Sequence, residues 1–223
     1  MLTVVIPTHD NEEALAYALS ALVPAAADGV ISEVVVVDAG SEDGTLVVAD
    51  AAGCLVVRSK ESLGRRLKAG AEAGRRGRWL MFLSPDAVLE PGWHREAAAF
   101  VERAERSGVG RAAVFRFALD ELGLGARFAE WRVAAGRAIH GLPAAEQGLL
   151  VPRRLYEALG GHRDVAGLAE ADLARRVGRG RLSTLKAEAR VGSRRLRRRD
   201  GALAGFAMLA LRLPPAFVAR RTV

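Results

Sequence analysis

The 223-residue chain has one cysteine, few aromatic residues and no clean hydrophobic run of membrane-spanning length. With Cys54 alone, no intramolecular disulfide can form, so a disulfide-stapled secreted fold is excluded. Cys54 lies in an apolar stretch as a core thiol would, and a reducing, cytoplasmic setting is expected. Aromatics make up 5% of the residues, which leaves few platforms for stacking bases, and no known RNA- or DNA-binding motif occurs. The opening MLTVVIPTHD lacks the basic segment and long apolar core of an export signal. The late stretch ALAGFAMLALRLPPAFVA is broken by Arg212, Pro214 and Pro215, short of the roughly 18 to 20 apolar residues of a spanning helix.

Several catalytic signatures are also missing. No G-x-G-x-x-G follows the first hydrophobic run and no G-x-x-x-x-G-K-[ST] occurs, which disfavours dinucleotide-dependent hydride transfer and P-loop chemistry. There is no H-E-x-x-H, C-x-x-C or G-x-S-x-G, and His9, His94, His140 and His162 are scattered. Zinc and serine-hydrolase chemistry therefore have no support.

The chain does carry a formal net charge of +7, much of it in RVGSRRLRRRD at residues 190–200. Such a cluster is either a solvated face or a contact for an anionic partner. Because it precedes an apolar segment with basic flanks, peripheral contact with an anionic membrane and a lipid-linked acceptor are compatible with it; packing on the protein's own domain is the alternative.

Short apolar runs recur with helical patterns between them: LTVVIP, EVVVVDA, CLVVRS, RWLMFLS and RAAVFRFAL. Strands apolar on both faces belong in a parallel sheet covered on each side, so the fold class is α/β with a mostly parallel central sheet. Asp10 or Asn11 can cap a first helix that opens with Glu12 and Glu13 and presents Leu15, Leu19 and Leu22 on one face. Ser41 or Asp43 can cap a second helix ending near Gly53, and ESLGRRLKAGAEAGRRGR reads as a basic third. Further helices are expected near 94–106 and 124–138, with a strand near 112–118 and a helix stopping at Gly160 or Gly161. No linker divides the chain, so one domain is expected, with halves at 1–95 and 96–223.

Three strand ends carry polar residues: Pro7-Thr8-His9-Asp10, Asp38-Ala39-Gly40-Ser41 and Ser84-Pro85-Asp86. In open parallel sheets ligands sit beyond these carboxyl ends. A carboxylate there can accept from a base or ribose, and helix starts offer N–H groups to phosphate, so a nucleotide is the expected guest. Each residue also has a plainer reading: Asp38 as a cap or turn former, Glu12 as a partner of the helix dipole, Asp86 as a turn residue after Pro85.

VVIPTHDNEEALAYAL, EVVVVDAGSEDGT, GRRLKAGAEAG and RWLMFLSPDAVLEPGW, in this order and spacing, resemble the N-terminal half of family 2 glycosyltransferases of GT-A fold. They look most similar to the bacterial subgroup termed transferase 2, rSAM/selenodomain-associated; GLPAAEQGLLVPRRLYEALGG and LAEADLARRV resemble its C-terminal half. The resemblance implies inverting transfer of a sugar from a UDP- or GDP-sugar to an acceptor hydroxyl, with Mg²⁺ or Mn²⁺, by a monomer or homodimer. It implies that Pro7, Thr8, Asp10, Glu12, Asp38 and Ser41 bind the nucleoside. Arg65 and Lys68 would face the diphosphate, and Asp86, the surviving acid of a D-x-D that here reads Ser-Pro-Asp, would hold the metal.

The family's later acidic pair falls on Ala169-Glu170, which makes Glu170 the expected base, with Glu146 and Asp172 as further candidates and Gln147 in the acceptor pocket. If LAEADLARRV is helical, Glu170 lies within about 60° of Leu173 and Val177 and points inward. Asp172 lies well round that helix, where it can pair with Arg175 or Arg176 in solvent. The rival readings are a catalytically weak nucleotide-sugar-binding module, suggested by Ser84 and Ala169, and a basic nucleic-acid-binding protein.

Overall fold

The computed structural model describes residues 1–119, 147–165 and 168–192. The helix expected over 124–138, the candidate base Glu146 and the arginine-rich tail lie outside them. Eight strands form one sheet: β1 (Leu2–Thr8), β2 (Ile31–Asp38), β3 (Leu55–Arg58), β4 (Trp79–Phe82), β5 (Ala87–Leu89), β6 (Ala112–Leu119), β7 (Leu149–Pro152) and β8 (Leu182–Val191). The helices are α1 (Glu12–Ala27), α2 (Thr45–Ala51), α3 (Leu63–Ala73), α4 (Trp93–Ser107), α5 (Arg153–Ala158) and α6 (Ala169–Val177).

The strand order is β3-β2-β1-β4-β7-β6-β8-β5. The first four are parallel neighbours, joined by helical crossovers, while β7 runs antiparallel to both β4 and β6. β6 pairs parallel with β8, and β5 closes that edge antiparallel. The mostly parallel reading thus holds for the N-terminal half and gives way to a mixed sheet in the C-terminal half. Strands β5, β7 and β8 escape a reading by hydrophobic runs because two are three or four residues long and β8, LSTLKAEARV, alternates.

Two cores cover the sheet. On one face Leu15, Leu19 and Leu22 of α1 and Trp93, Ala97, Phe100 and Ala104 of α4 pack on Val4, Ile6 and Met81. On the other, Leu67 and Ala71 of α3, Tyr156 of α5 and Leu173 and Val177 of α6 pack on Val5, Val37, Leu80 and Phe82. Alternation along each strand sorts the two sets. Gly70 lets α3 lie directly on the sheet, since a Cβ there would stand 2.5 Å from Val5 Cγ1 and 2.7 Å from Val37 Cγ2. The far end of α3 is held by Arg153, which donates to the carbonyls of Ala71 (2.8 Å), Gly74 (2.6 Å) and Gly77 (3.0 Å). These bonds serve carbonyls that a helix end leaves without intrahelical partners. Among the described residues no helix is long and apolar enough to cross a membrane.

His162 is a core residue, 3% exposed, with its ring edge-on to Phe82. Its N–H donates to the Tyr156 hydroxyl at 3.2 Å, and that hydroxyl lies 3.1 Å from Nδ1. The imidazole and the phenol hydroxyl thus share a hydrogen bond inside the core. Burial, reinforced by the Arg176 charge, pushes the imidazole down from 6.5 to about 3.

Between these two values the unfolded chain takes up a proton that the fold refuses, so stability falls as pH drops through the window. We expect His162→Phe to flatten the decline of the denaturant midpoint between pH 7 and pH 4, whatever its effect at pH 7, as urea titrations at the two pH values will show.

Candidate functional site

The sheet splits where the chain reverses its order of addition, between β1 and β4. Leu83 N–H donates to Val5 O at 3.0 Å, the last rung of that ladder. In a parallel pair the next rung would require an N–H from residue 7, and Pro7 has none. The two strands can then diverge, and a crevice at such a switch point is where ligands bind in open α/β sheets.

On one side of it stands the end of β2. Asp38, 0% exposed, accepts from the N–H groups of Gly40 (2.8 Å) and Ser41 (3.0 Å) on Oδ2. On Oδ1 it accepts from the hydroxyls of Ser41 (2.5 Å) and Thr8 (3.3 Å). Burial opposes its charge, but the bonds from Ser41, Gly40 and Thr8 outweigh it and hold the carboxyl below its ordinary range. The strand-end acid expected to meet the nucleoside thus accepts four hydrogen bonds, from Thr8, Gly40 and Ser41.

The same holds for its neighbours. Asp10, with φ of 50°, accepts from Glu42 N–H at 2.8 Å and donates its own N–H to Ser41 Oγ at 2.9 Å. Glu12 accepts from Gly44 N–H at 3.0 Å, and its N–H donates to Asp43 at 3.1 Å. A Cβ at position 44 would fall 2.5 Å from the Glu12 carboxyl carbon, so a side chain there would displace this carboxylate. The loops after β1 and β2 are thus zipped together by reciprocal side-chain to backbone bonds. The N-cap residue of α2 is Gly44, but Asp43 Oδ1 accepts from the N–H of Thr45, the first helical residue, at 2.9 Å, while Ser41 bonds to Asp38.

The third helix turns an unexpected cation to the rim. Arg65 is exposed and pairs with Asp164 (2.8 Å) and Glu61 (3.1 Å). Lys68, also exposed, faces α5 along a cavity of about 700 Å³ that includes Glu72, Arg75 and Tyr156. It is Arg66, absent from the sequence expectations, whose Nη1 donates to the Thr8 carbonyl at 3.2 Å, with its Nε buried and unpartnered. Burial depresses its basicity, and the Asp38 charge partly restores it. The signal was the helical period: residues 65 and 68 share a face, and residue 66 lies about 100° away.

Beyond β4, Ser84 and Pro85 are buried and Asp86 is half-buried, its N–H donating to Ser84 Oγ at 3.3 Å. β4 lies two strands from β2 in the same parallel set, so Asp38, which ends β2, and Asp86, which follows β4, lie at the same carboxyl-end rim of the sheet. Among the described residues no cluster of three metal-ligating side chains exists. A single carboxylate completed by phosphate oxygens and water still suits Mg²⁺, so the residues present fit a metal that arrives with a diphosphate.

The C-terminal half adds α6. Val165 O accepts from Gly64 N–H at 3.0 Å at the start of α3, which places the approach to α6 at the same rim. Glu170, in the first turn, is buried beside Leu173 and Val177, as its helical position predicts. Asp172 departs from expectation. It pairs with Arg175 and Arg176 as its spacing requires, but it is 3% exposed, because Arg163 and Arg176 close over it from the preceding loop and its own helix. Gln147 is also buried, donating from Nε2 to the Phe115 carbonyl at 2.9 Å, and so braces β6.

The family model for glycosyl transferase family 2 matches residues 3–123, more than half of the chain. The chain belongs to that family. This glycosyltransferase is similar in fold to glucosyl-3-phosphoglycerate synthase from Mycobacterium tuberculosis, solved with Mn²⁺, uridine diphosphate and glucosyl-3-phosphoglycerate. The match has a TM-score of 0.67 at 20% identity and covers 96% of this chain and 81% of that one. It is also similar to residues 1–349 of S. aureus TarS, with a TM-score of 0.63 at 16% identity over 97% of this chain and 68% of the other. No curated protein sequence matches it at a significant level.

Asn at position 38 would turn an amide NH₂ toward donors that need an acceptor, leaving buried groups unsatisfied. We expect Asp38→Asn to cost about 2 kcal/mol or more of folding stability even without ligand, measurable by chemical denaturation of the purified variant.

Proposed function

We propose that this glycosyltransferase moves a sugar from a nucleoside diphosphate donor to an acceptor hydroxyl with inversion, using a divalent cation. The observation that carries the reading is the rim at the carboxyl ends of β1, β2 and β4, where the β1–β4 ladder stops at Pro7, the half-buried Arg66 guanidinium is held on the Thr8 carbonyl and Asp86 follows β4. The zipped loops after β1 and β2, built from Thr8, Asp10, Glu12, Asp38 and Ser41, would form the nucleoside wall beside Pro7. Arg66 has an unpartnered N–H for a donor oxygen. Asp86 would hold Mg²⁺ or Mn²⁺ together with the diphosphate, and the cation, when bound, would neutralise charge on the leaving group.

Glu170 would take the proton from the acceptor hydroxyl. The oxygen then bonds to the anomeric carbon on the face opposite the diphosphate, the bond from that carbon to the phosphate oxygen breaks, and the nucleoside diphosphate leaves. A buried carboxyl next to Leu173 suits a base that must work away from water. Asp172, surrounded by three arginines, suits a structural role better than a catalytic one. The M. tuberculosis enzyme was solved with UDP and Mn²⁺ or Mg²⁺, which supports a uridine donor as the first to try.

The second reading, a module that binds donor without turnover, is favoured by Ser84 and the buried Ala169, which stand where the family resemblance implies acids. A thermal-shift screen of UDP and GDP, each with and without Mn²⁺, tests donor binding. At a hundredfold excess over Kd, the binding nucleotide should stabilise the fold by about 2.7 kcal/mol.

Asp86→Ala should remove the Mn²⁺-dependent part of that shift, and Glu170→Gln should keep it while lowering transfer about 10²- to 10⁴-fold. Normal turnover by Glu170→Gln would refute the base assignment, and a shift with no turnover by the wild type would favour the binding module.

A further inference from the structure

The start of α3 and the helix that carries Glu170 are joined through one short stretch, residues 161–165. On the α3 side the bonds are close: Ser62 Oγ donates to Asp164 Oδ1 at 2.6 Å, and Arg65 Nε donates to Oδ2 at 2.8 Å. Gly64 N–H donates to Val165 O at 3.0 Å, and a Cβ on Gly64 would run into the Arg163 carbonyl. Ser62 serves twice, since its hydroxyl also accepts from Arg65 N–H as the cap of α3. On the α6 side, Arg163 Nη1 lies 3.8 Å from Asp172 Oδ1, while Arg176 donates to Asp172 Oδ2 at 2.9 Å and to the Leu159 carbonyl at 2.7 Å. The stretch is thus bonded to α3 by Asp164 and Val165 and reaches α6 through the Arg163–Asp172 ion pair.

We propose that Asp164 is a positioning residue for the transfer step: by clasping Ser62 and Arg65 it fixes α6, and with it Glu170, against the donor rim. This rests on Glu170 being the base. The clasp spans 102 residues of sequence and connects the two halves of the chain. Its carboxylate is kept ionised by the bonds from Ser62 and Arg65. Because Asp164 is exposed, losing the clasp changes global stability little. Its effect falls on local opening of α6, a helix of nine residues.

Hydrogen–deuterium exchange on the full chain tests the clasp without any need for a substrate. In Asp164→Ala, the amides of Leu173–Val177 should exchange about fivefold faster. Asp164→Glu should return them to within about twofold of the wild type, and the amides of α1 should not move. UDP–Mn²⁺ affinity should stay within about twofold. Unchanged exchange in α6, or equal acceleration in α1 and α6, would overturn the proposal.

With UDP-glucose as donor, Asp164→Ala should lower kcat about tenfold at constant donor KM, and should add nothing in a Glu170→Gln background. Additive losses would overturn the link to Glu170. Normal turnover by Glu170→Gln alone would overturn the base assignment and the catalytic half of this proposal, with the exchange result still deciding whether the clasp exists.

Discussion

The rim of this sheet depends on one carboxylate that water does not reach. Asp38 gathers two backbone N–H groups and two hydroxyls around a single negative charge, and those donors belong to the end of β1 and the loop after β2. An acid buried without such donors would raise its pKa or unfold its surroundings; here the bonds outweigh desolvation and the charge persists. Through Thr8 it fixes the end of β1, and through Ser41 it fixes the partner of Asp10. The loops after β1 and β2 are therefore tied to each other by the fold itself.

Those tied loops give meaning to the break beside them. Pro7 ends the β1–β4 ladder at the point where strand order reverses, with the Arg66 guanidinium at the end of β1 and Asp86 following β4. Arg66 is held there by the Thr8 carbonyl and the depth of its burial, Asp86 by the buried turn at Ser84 and Pro85. Opposite charges along one rim suit a ligand that is itself anionic and carries a cation with it. The C-terminal half adds what the parallel half lacks. β7 runs back down the sheet, and α5 and the loop after it deliver Glu170 to the same rim.

Much of this was legible in the chain. Doubly apolar runs and the periodic leucines of α1 give the parallel half almost strand by strand, because burial on both faces leaves a continuous hydrophobic signature. β5, β7 and β8 leave none, being too short or solvated along one side. The polar strand ends mark the rim, and the helical period places Glu170 inward. The same reasoning misjudges Asp172, since a helical wheel records the angle of a side chain and not what folds over it: Arg163 comes from a different segment. Matching a motif pointed to Arg65 and Lys68, whereas the registry of α3 on the sheet, set by Gly70 against Val5 and Val37, turned Arg66 to the rim.

The sequence by itself determined the α/β class, the polar strand ends that gather at one rim and the inward face of α6, because each follows from periodicity and from the short reach of backbone preferences. Only the tertiary structure decided how the acids are used. That Asp10 and Glu12 meet the loop after β2, and that Arg66 reaches the Thr8 carbonyl, depends on groups about 30 or more residues away in sequence that become partners only once the sheet has assembled, whereas three of the four bonds to Asp38 come from Gly40 and Ser41 beside it.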